Sequence, residues 1–196
     1  MRTARSRSKV KQLSLNKKLR IRSSPEDGFA EEEARRIIEY TLKLAPLKKT
    51  LSGKRYRVLR TFSDQFKDER TKKRRYASLV IYNYSDDLTH SVRVDLQSGK
   101  LVDTREHAVQ PGPSSEEYEE AIKLIRKNQT FEDLLSSQRA VIQNGLIVQD
   151  SDEELPAGIH RCLEMFLLTP ERDKFLHRLV IDLSNQTIVV NEVGGS

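Results

Sequence analysis

The stretches HSVRVDLQSGKLV at 90–102 and HRLVIDLSNQTIV at 177–189 are two copies of one pattern, set 87 residues apart. The offset holds beyond them without a gap. Glu32-Glu33-Ala34 falls on Glu119-Glu120-Ala121, Ile38 on Ile125, Leu47 on Leu134, Arg74 on Arg161 and Asp86 on Asp173. His90, Asp95, Leu96 and Val102 fall on His177, Asp182, Leu183 and Val189, with apolar exchanges such as Val94/Ile181 and Leu101/Ile188 between them. A constant spacing across several elements marks a duplicated unit. A period this long lets each unit close around its own core, which points to two small similar domains rather than a solenoid.

Each copy opens with an acidic helical segment. In SSPEDGFAEEEARRIIEYTLKLAP, Ser, Pro and Asp lead into a Glu-rich first turn, where carboxylates meet the positive end of the helix dipole. Ala34, Ile37, Ile38 and Thr41 recur at helical spacing, and Pro46 is expected to end the helix. PGPSSEEYEEAIKLIRKN repeats the design with Tyr118, Ala121, Ile122 and Ile125 as its stripe, and TFEDLLSS reads as a short second helix burying Phe131, Leu134 and Leu135. Four strand-like runs follow each time. Val92, Val94 and Leu96 alternate with Ser91, Arg93 and Asp95, the pattern of a sheet with one buried face. QSGK at 97–100 is a turn in which Gly99 can take positive φ.

The net charge of +6 is misleading until it is located. Residues 1–22 hold nine Lys or Arg and no acid, so the remaining residues carry −3. Basicity belongs to a tail, expected to be disordered. It comprises Arg2, Arg5, Arg7, Lys9, Lys11, Lys17, Lys18, Arg20 and Arg22, and it lacks the aromatics that base stacking uses. Such a tail can follow phosphates in a salt-sensitive way, lie on an anionic membrane or acidic protein, or simply solubilise the chain. Lys72 and Lys73, in the loop KDERTKKRR, join it as candidate partner contacts. One cysteine, Cys162, excludes an internal disulfide and fits a reducing compartment. Its apolar neighbours mark it as a buried thiol. The chain has neither an apolar run long enough for a membrane span nor the apolar core of a secretory signal, so a cytoplasmic location is expected, with an organelle-targeting N-terminus as the alternative.

The run from Arg74/Arg75 through YSDD, VRVDLQSGKLV, VQP at 109–111 and SSEEYEEAIKLI resembles the N-terminal accessory region of copper amine oxidases, the N2 and N3 modules. The resemblance spans roughly 25–193. It implies two tandem cystatin-like modules, each one helix packed on a curved four-stranded antiparallel sheet. The expected organisation is α+β: a basic tail at 1–22, a first module at 23–107 and a second at 108–196. The resemblance places the family's catalysis in a large C-terminal domain with a quinone-forming tyrosine and a copper held by three histidines, and the residues of 1–196 are expected to end where that domain would begin. VIYNYSDD echoes the family's Thr-x-x-Asn-Tyr-Asp/Glu string at Asn83-Tyr84. However, Val80 stands at the Thr position and Ser85 at the acid, which makes Tyr84 a strand-end tyrosine rather than a cofactor precursor.

Other chemistries find little material. His90, His107, His160 and His177 form no HxH or HxxxH pair, and His90 and His177 recur by duplication. Asp95 and Asp182 also recur, each before a hairpin, where a carboxylate takes turn hydrogen bonds. No phosphate loop, Cys-x-x-Cys or G-x-S-x-G is present. The expectation is a non-enzymatic accessory or interaction protein without cofactor, partnered by another protein. The alternatives are a detached subunit of a copper amine oxidase working with a separate catalytic chain, and binding of nucleic acid or an anionic surface through the tail.

Overall fold

The computed structural model describes residues 28–66, 74–148 and 160–194. Among these, four helices and eight strands follow in the order α1 (Glu31–Leu42), α2 (Ala45–Leu51), β1 (Tyr56–Phe66), β2 (Arg74–Asn83), β3 (Leu88–Asp95), β4 (Leu101–His107), α3 (Ser115–Lys127), α4 (Gln129–Ser136), β5 (Val141–Val148), β6 (Cys162–Leu168), β7 (Phe175–Asp182) and β8 (Thr187–Val193). The chain is α+β. Its strands make two four-stranded antiparallel sheets, ordered β1-β2-β3-β4 and β5-β6-β7-β8. Strands adjacent in sequence are adjacent in the sheet, as short connections between antiparallel neighbours require. No helix among the described residues is long and apolar enough to cross a membrane. The tail at 1–22 lies outside the described residues.

Two helices precede each sheet: α4 matches the short second helix expected from TFEDLLSS, and α2 is a helix beyond the one expected in the first copy. Pro46 does not close α1, which ends at Leu42; it sits in the first turn of α2. A proline is harmless there because a first-turn amide has no intrahelical acceptor to lose. Backbone proximity groups the chain into two compact units. Of the described residues, one takes in those up to Lys48 and those within Thr61–Leu79 and Val92–Thr104, and the other those within Lys49–Arg60, Val80–Ser91 and from Arg105 onward.

In the first unit Ile37 and Thr41 of α1 are buried, as are Leu47, Leu79, Val92, Val94 and Leu96. The Tyr40 hydroxyl donates to the Gly99 carbonyl at 3.0 Å, tying α1 to the β3–β4 turn. Gly99 has φ 69°, the left-handed conformation the turn requires. One repeat further on, Gln186 holds φ 58° at the corresponding position.

The second unit is built around β6 and β7. Leu163, Met165 and Leu167 of β6 and Leu179 and Ile181 of β7 bury one face, against Ala121 and Ile125 of α3, Phe131 of α4 and Tyr84. Cys162 and Val180, at intervening positions, close a smaller cluster with Val148 and Val190. Alternation along each strand produces the two faces. Helix α3 begins with a full capping box. Ser114 accepts from the Glu117 amide, and the Glu117 carboxylate accepts from the Ser114 amide at 2.8 Å.

Candidate functional site

The densest gathering of ionisable side chains lies inside the second unit. Glu117 stands in the first turn of α3, where the helix dipole favours a carboxylate, and its side chain is fully buried. Arg161 immediately precedes β6 and is also fully buried. Its guanidinium grips the carboxylate with two bonds, Nε to Glu117 Oε1 at 2.5 Å and Nη2 to Oε2 at 2.9 Å. The remaining donors reach the carbonyls of Pro111 at 2.9 Å and Gly112 at 3.3 Å. Tyr84, one residue past β2, donates its hydroxyl to Glu117 Oε1 at 2.5 Å. Tyr82 places its ring 4.7 Å from the guanidinium carbon of Arg161. Two buried charges thus meet in the fork geometry that offsets desolvation. Burial, then the Glu117 charge, raises the Tyr84 phenol well above its ordinary pKa and keeps it a donor.

A second, half-buried layer adjoins the first. The Arg55 guanidinium lies over the Tyr84 ring at 4.2 Å and bonds Glu120 Oε1 at 2.6 Å, while Arg57 takes Glu120 Oε2 at 2.7 Å. Gln186 donates to Oε1 at 2.7 Å from its left-handed turn position. Burial works to raise the Glu120 carboxyl, but Gln186 and the two arginines outweigh it and hold the group below the usual carboxylate range. Arg55 also reaches the Leu183 carbonyl at 2.6 Å, so this layer ties β1 to the β7–β8 turn.

The repeated aspartates behave as turn residues. Asp95 Oδ1 accepts from the amides of Gln97 at 2.7 Å and Ser98 at 3.1 Å, and Asp182 Oδ1 accepts from that of Asn185 at 2.9 Å. Asp182 also holds the His160 Nδ1 at 2.8 Å. An imidazole oriented by a buried carboxylate is half of a nucleophile-activating arrangement. The nearest thiol in sequence, Cys162, is fully buried, and burial followed by the charges of Asp182 and Asp87 pushes its pKa up to about 12. At neutral pH it is an inert thiol. His107 bonds the Ser91 hydroxyl at 2.9 Å, and His177 bonds Asn191 at 2.7 Å while packing edge-on to Phe131. His90 is buried. Among the described residues no three His, Cys, Asp or Glu side chains gather as metal ligands.

All the partner contacts predicted from sequence lie outside the described residues: Arg2, Arg5, Arg7, Lys9, Lys11, Lys17, Lys18, Arg20, Arg22, Lys72 and Lys73. What the sequence reading missed is Arg161 and Glu117. Glu117 passed as one of four dipole-facing glutamates, and the signal for its partner was an arginine opening the apolar run RCLEMFLL. An arginine there needs a buried carboxylate.

No protein-family model matches the sequence, and no curated protein does. Among solved structures, a crystal structure of a copper-containing benzylamine oxidase from Hansenula polymorpha aligns over 87% of this chain, with a TM-score of 0.58 and 12% sequence identity. The chain shares its fold with part of that oxidase. It spans 30% of the oxidase chain. At this identity the likeness concerns architecture alone. The sealed Arg161–Glu117 pair has its hydrogen-bonding capacity taken up by the protein itself, which makes it a brace holding the 111–114 segment, α3 and the start of β6 together.

Proposed function

We propose that this chain is a non-catalytic accessory or interaction protein, built from two cystatin-like modules of the amine-oxidase N-terminal type, that binds a macromolecular partner. The observation that carries the reading is the closed Arg161–Glu117–Tyr84 cluster, whose charged and hydroxyl groups are spent on one another and on backbone carbonyls. Catalytic groups need a face open to substrate, and this constellation has none. The likeness in fold between 87% of this chain and one part of the oxidase supports the relation to amine-oxidase modules. Two modules, each a sheet with its preceding helices, account for the 87-residue repeat.

The test is affinity capture from a nuclease-treated native lysate, using the full chain and a form lacking residues 1–22. A specific protein held by both forms is the expected result. Capture that vanishes with nuclease or with the tail would move the function to the basic arm and overturn the reading. The structural match also favours a narrower version, a detached accessory subunit working with a separate copper amine oxidase chain. That version requires an amine-oxidising, copper-containing chain among the captured proteins, and the purified chain alone should oxidise no amine.

A further inference from the structure

Strand β8 ends the order β5-β6-β7-β8 and, among the described residues, has a hydrogen-bonded neighbour on one side only. Its other side presents main-chain N–H and C=O groups, and edges of this kind are ordinarily blunted by charge, proline or distortion. The other edges here follow that practice. β1 carries Arg57, Arg60 and Asp64, and β4 carries Asp103, Arg105 and Glu106. β5 is bulged between Asn144 and Ile147, where the Gly145 carbonyl accepts the Tyr118 hydroxyl at 2.7 Å.

β8 differs. Its sequence TIVVNEV has no proline, no lysine and one charge, Glu192, which Arg178 of β7 engages at 3.1 Å. A bulge at Val189 comes early in the strand, and Val190–Val193 then run in register with Val180–His177. Val189 is 38% exposed and Val193 72%. We propose that two copies of this chain pair antiparallel through β8, about a two-fold axis at Asn191.

The spacing of these residues selects a second copy as the occupant. When a strand pairs with its own copy, the axis must pass through a residue, because facing pairs alternate between hydrogen-bonded and non-bonded kinds. An axis at Glu192 would set carboxylate against carboxylate. An axis at Asn191 sets Glu192 opposite the copy's Val190 within the regular stretch and brings each Val193 beside the copy's bulged Val189. Both exposed valines gain apolar partners across the strands, and like charges are kept apart. The proposal goes beyond the partner reading above and is independent of it.

The test uses the full chain with Asn191→Cys. Cys162 is fully buried, so the introduced thiol is the accessible one among the described residues. Under mild oxidation Asn191→Cys is expected to form a disulfide-linked dimer, and Thr187→Cys is expected to stay monomeric. Light scattering should show a concentration-dependent dimer for the natural sequence and a monomer for Val193→Lys, with unchanged circular dichroism. A monomer at every concentration without cross-linking at position 191 would overturn the pairing. So would equal cross-linking at 187, or a dimer that survives Val193→Lys. A different protein whose capture is lost in Val193→Lys, while the purified chain stays monomeric, would assign the edge to another strand and refute self-pairing.

Discussion

Replacing Glu117 by alanine is the sharpest probe of the brace inside the second unit. The substitution removes two bonds to Arg161, at 2.5 and 2.9 Å, one from Tyr84 at 2.5 Å and one from the Ser114 amide at 2.8 Å. It leaves a fully buried guanidinium with the Pro111 and Gly112 carbonyls as the remaining acceptors of its side-chain hydrogen bonds. Breaking one side of a buried pair costs about 3–5 kcal/mol, most of it the penalty of a charge left uncompensated. With a urea slope of about 1–3 kcal/mol per molar, the unfolding midpoint should fall by roughly 2 M. The double variant Glu117→Met, Arg161→Met removes both charges and should recover most of the loss, giving a coupling energy of about 1–3 kcal/mol in the mutant cycle. Arg126→Ala serves as the exposed control, because the Arg126–Glu132 pair at 2.8 Å is open to solvent and worth at most about 1 kcal/mol. Urea titrations followed by circular dichroism measure these proteins together with the single variants Glu117→Met and Arg161→Met, which close the cycle. A Glu117→Ala loss below about 1 kcal/mol, or additive single and double effects, would refute the claim that these charges are sealed together.

Three further expectations rest on single groups. Burial lowers the His90 pKa below the ordinary 6.5 against the opposing pull of Glu106 and Asp86, with Lys54 and His107 acting in the same direction as burial. The unfolded chain therefore takes up this proton first. The stability contribution is present above about pH 6.5 and is lost as pH falls through the lowered folded value. Urea midpoints between about pH 7.5 and pH 5 should show this slope, and His90→Leu should flatten it. Cys162 should resist a thiol reagent at neutral pH in the native state and react fully in urea, its thiol being buried and raised to about 12; fast native labelling would contradict that placement. Ser114→Ala removes the hydroxyl half of the capping box and should cost about 1 kcal/mol in the same urea assay, with glycine at that position costing only a few tenths.

How far the sequence could be read differs from element to element. Ala121 and Ile125 lie on the buried stripe of α3, and Val92, Val94 and Leu96 are buried as their alternation requires. Both patterns follow from the fixed periods of helix and strand. Asp95 and Asp182 announced themselves by position, because a carboxylate before a tight turn meets nearby amides whatever the rest of the fold does. The short helix α2 was not legible. Its proline looks like a terminator in one dimension and is admissible only because α1 has already ended.

The sequence by itself thus determined the repeat, the alternation of acidic helix and strands, and the turn roles of the recurring polar residues, since each depends on spacing along a few neighbouring positions. Only the tertiary structure decided that Glu117 is a buried anchor while Glu116 and Glu119 of the same helix are exposed. Its partner Arg161 lies 44 positions away in sequence, and Tyr84 lies 33 positions away. Nothing local distinguishes one glutamate from the next; desolvation and pairing do, and both are set by which distant side chains the fold brings within hydrogen-bond reach. The β8 edge has the same origin: its composition is visible in the sequence, but its place as the last strand of the sheet belongs to the topology.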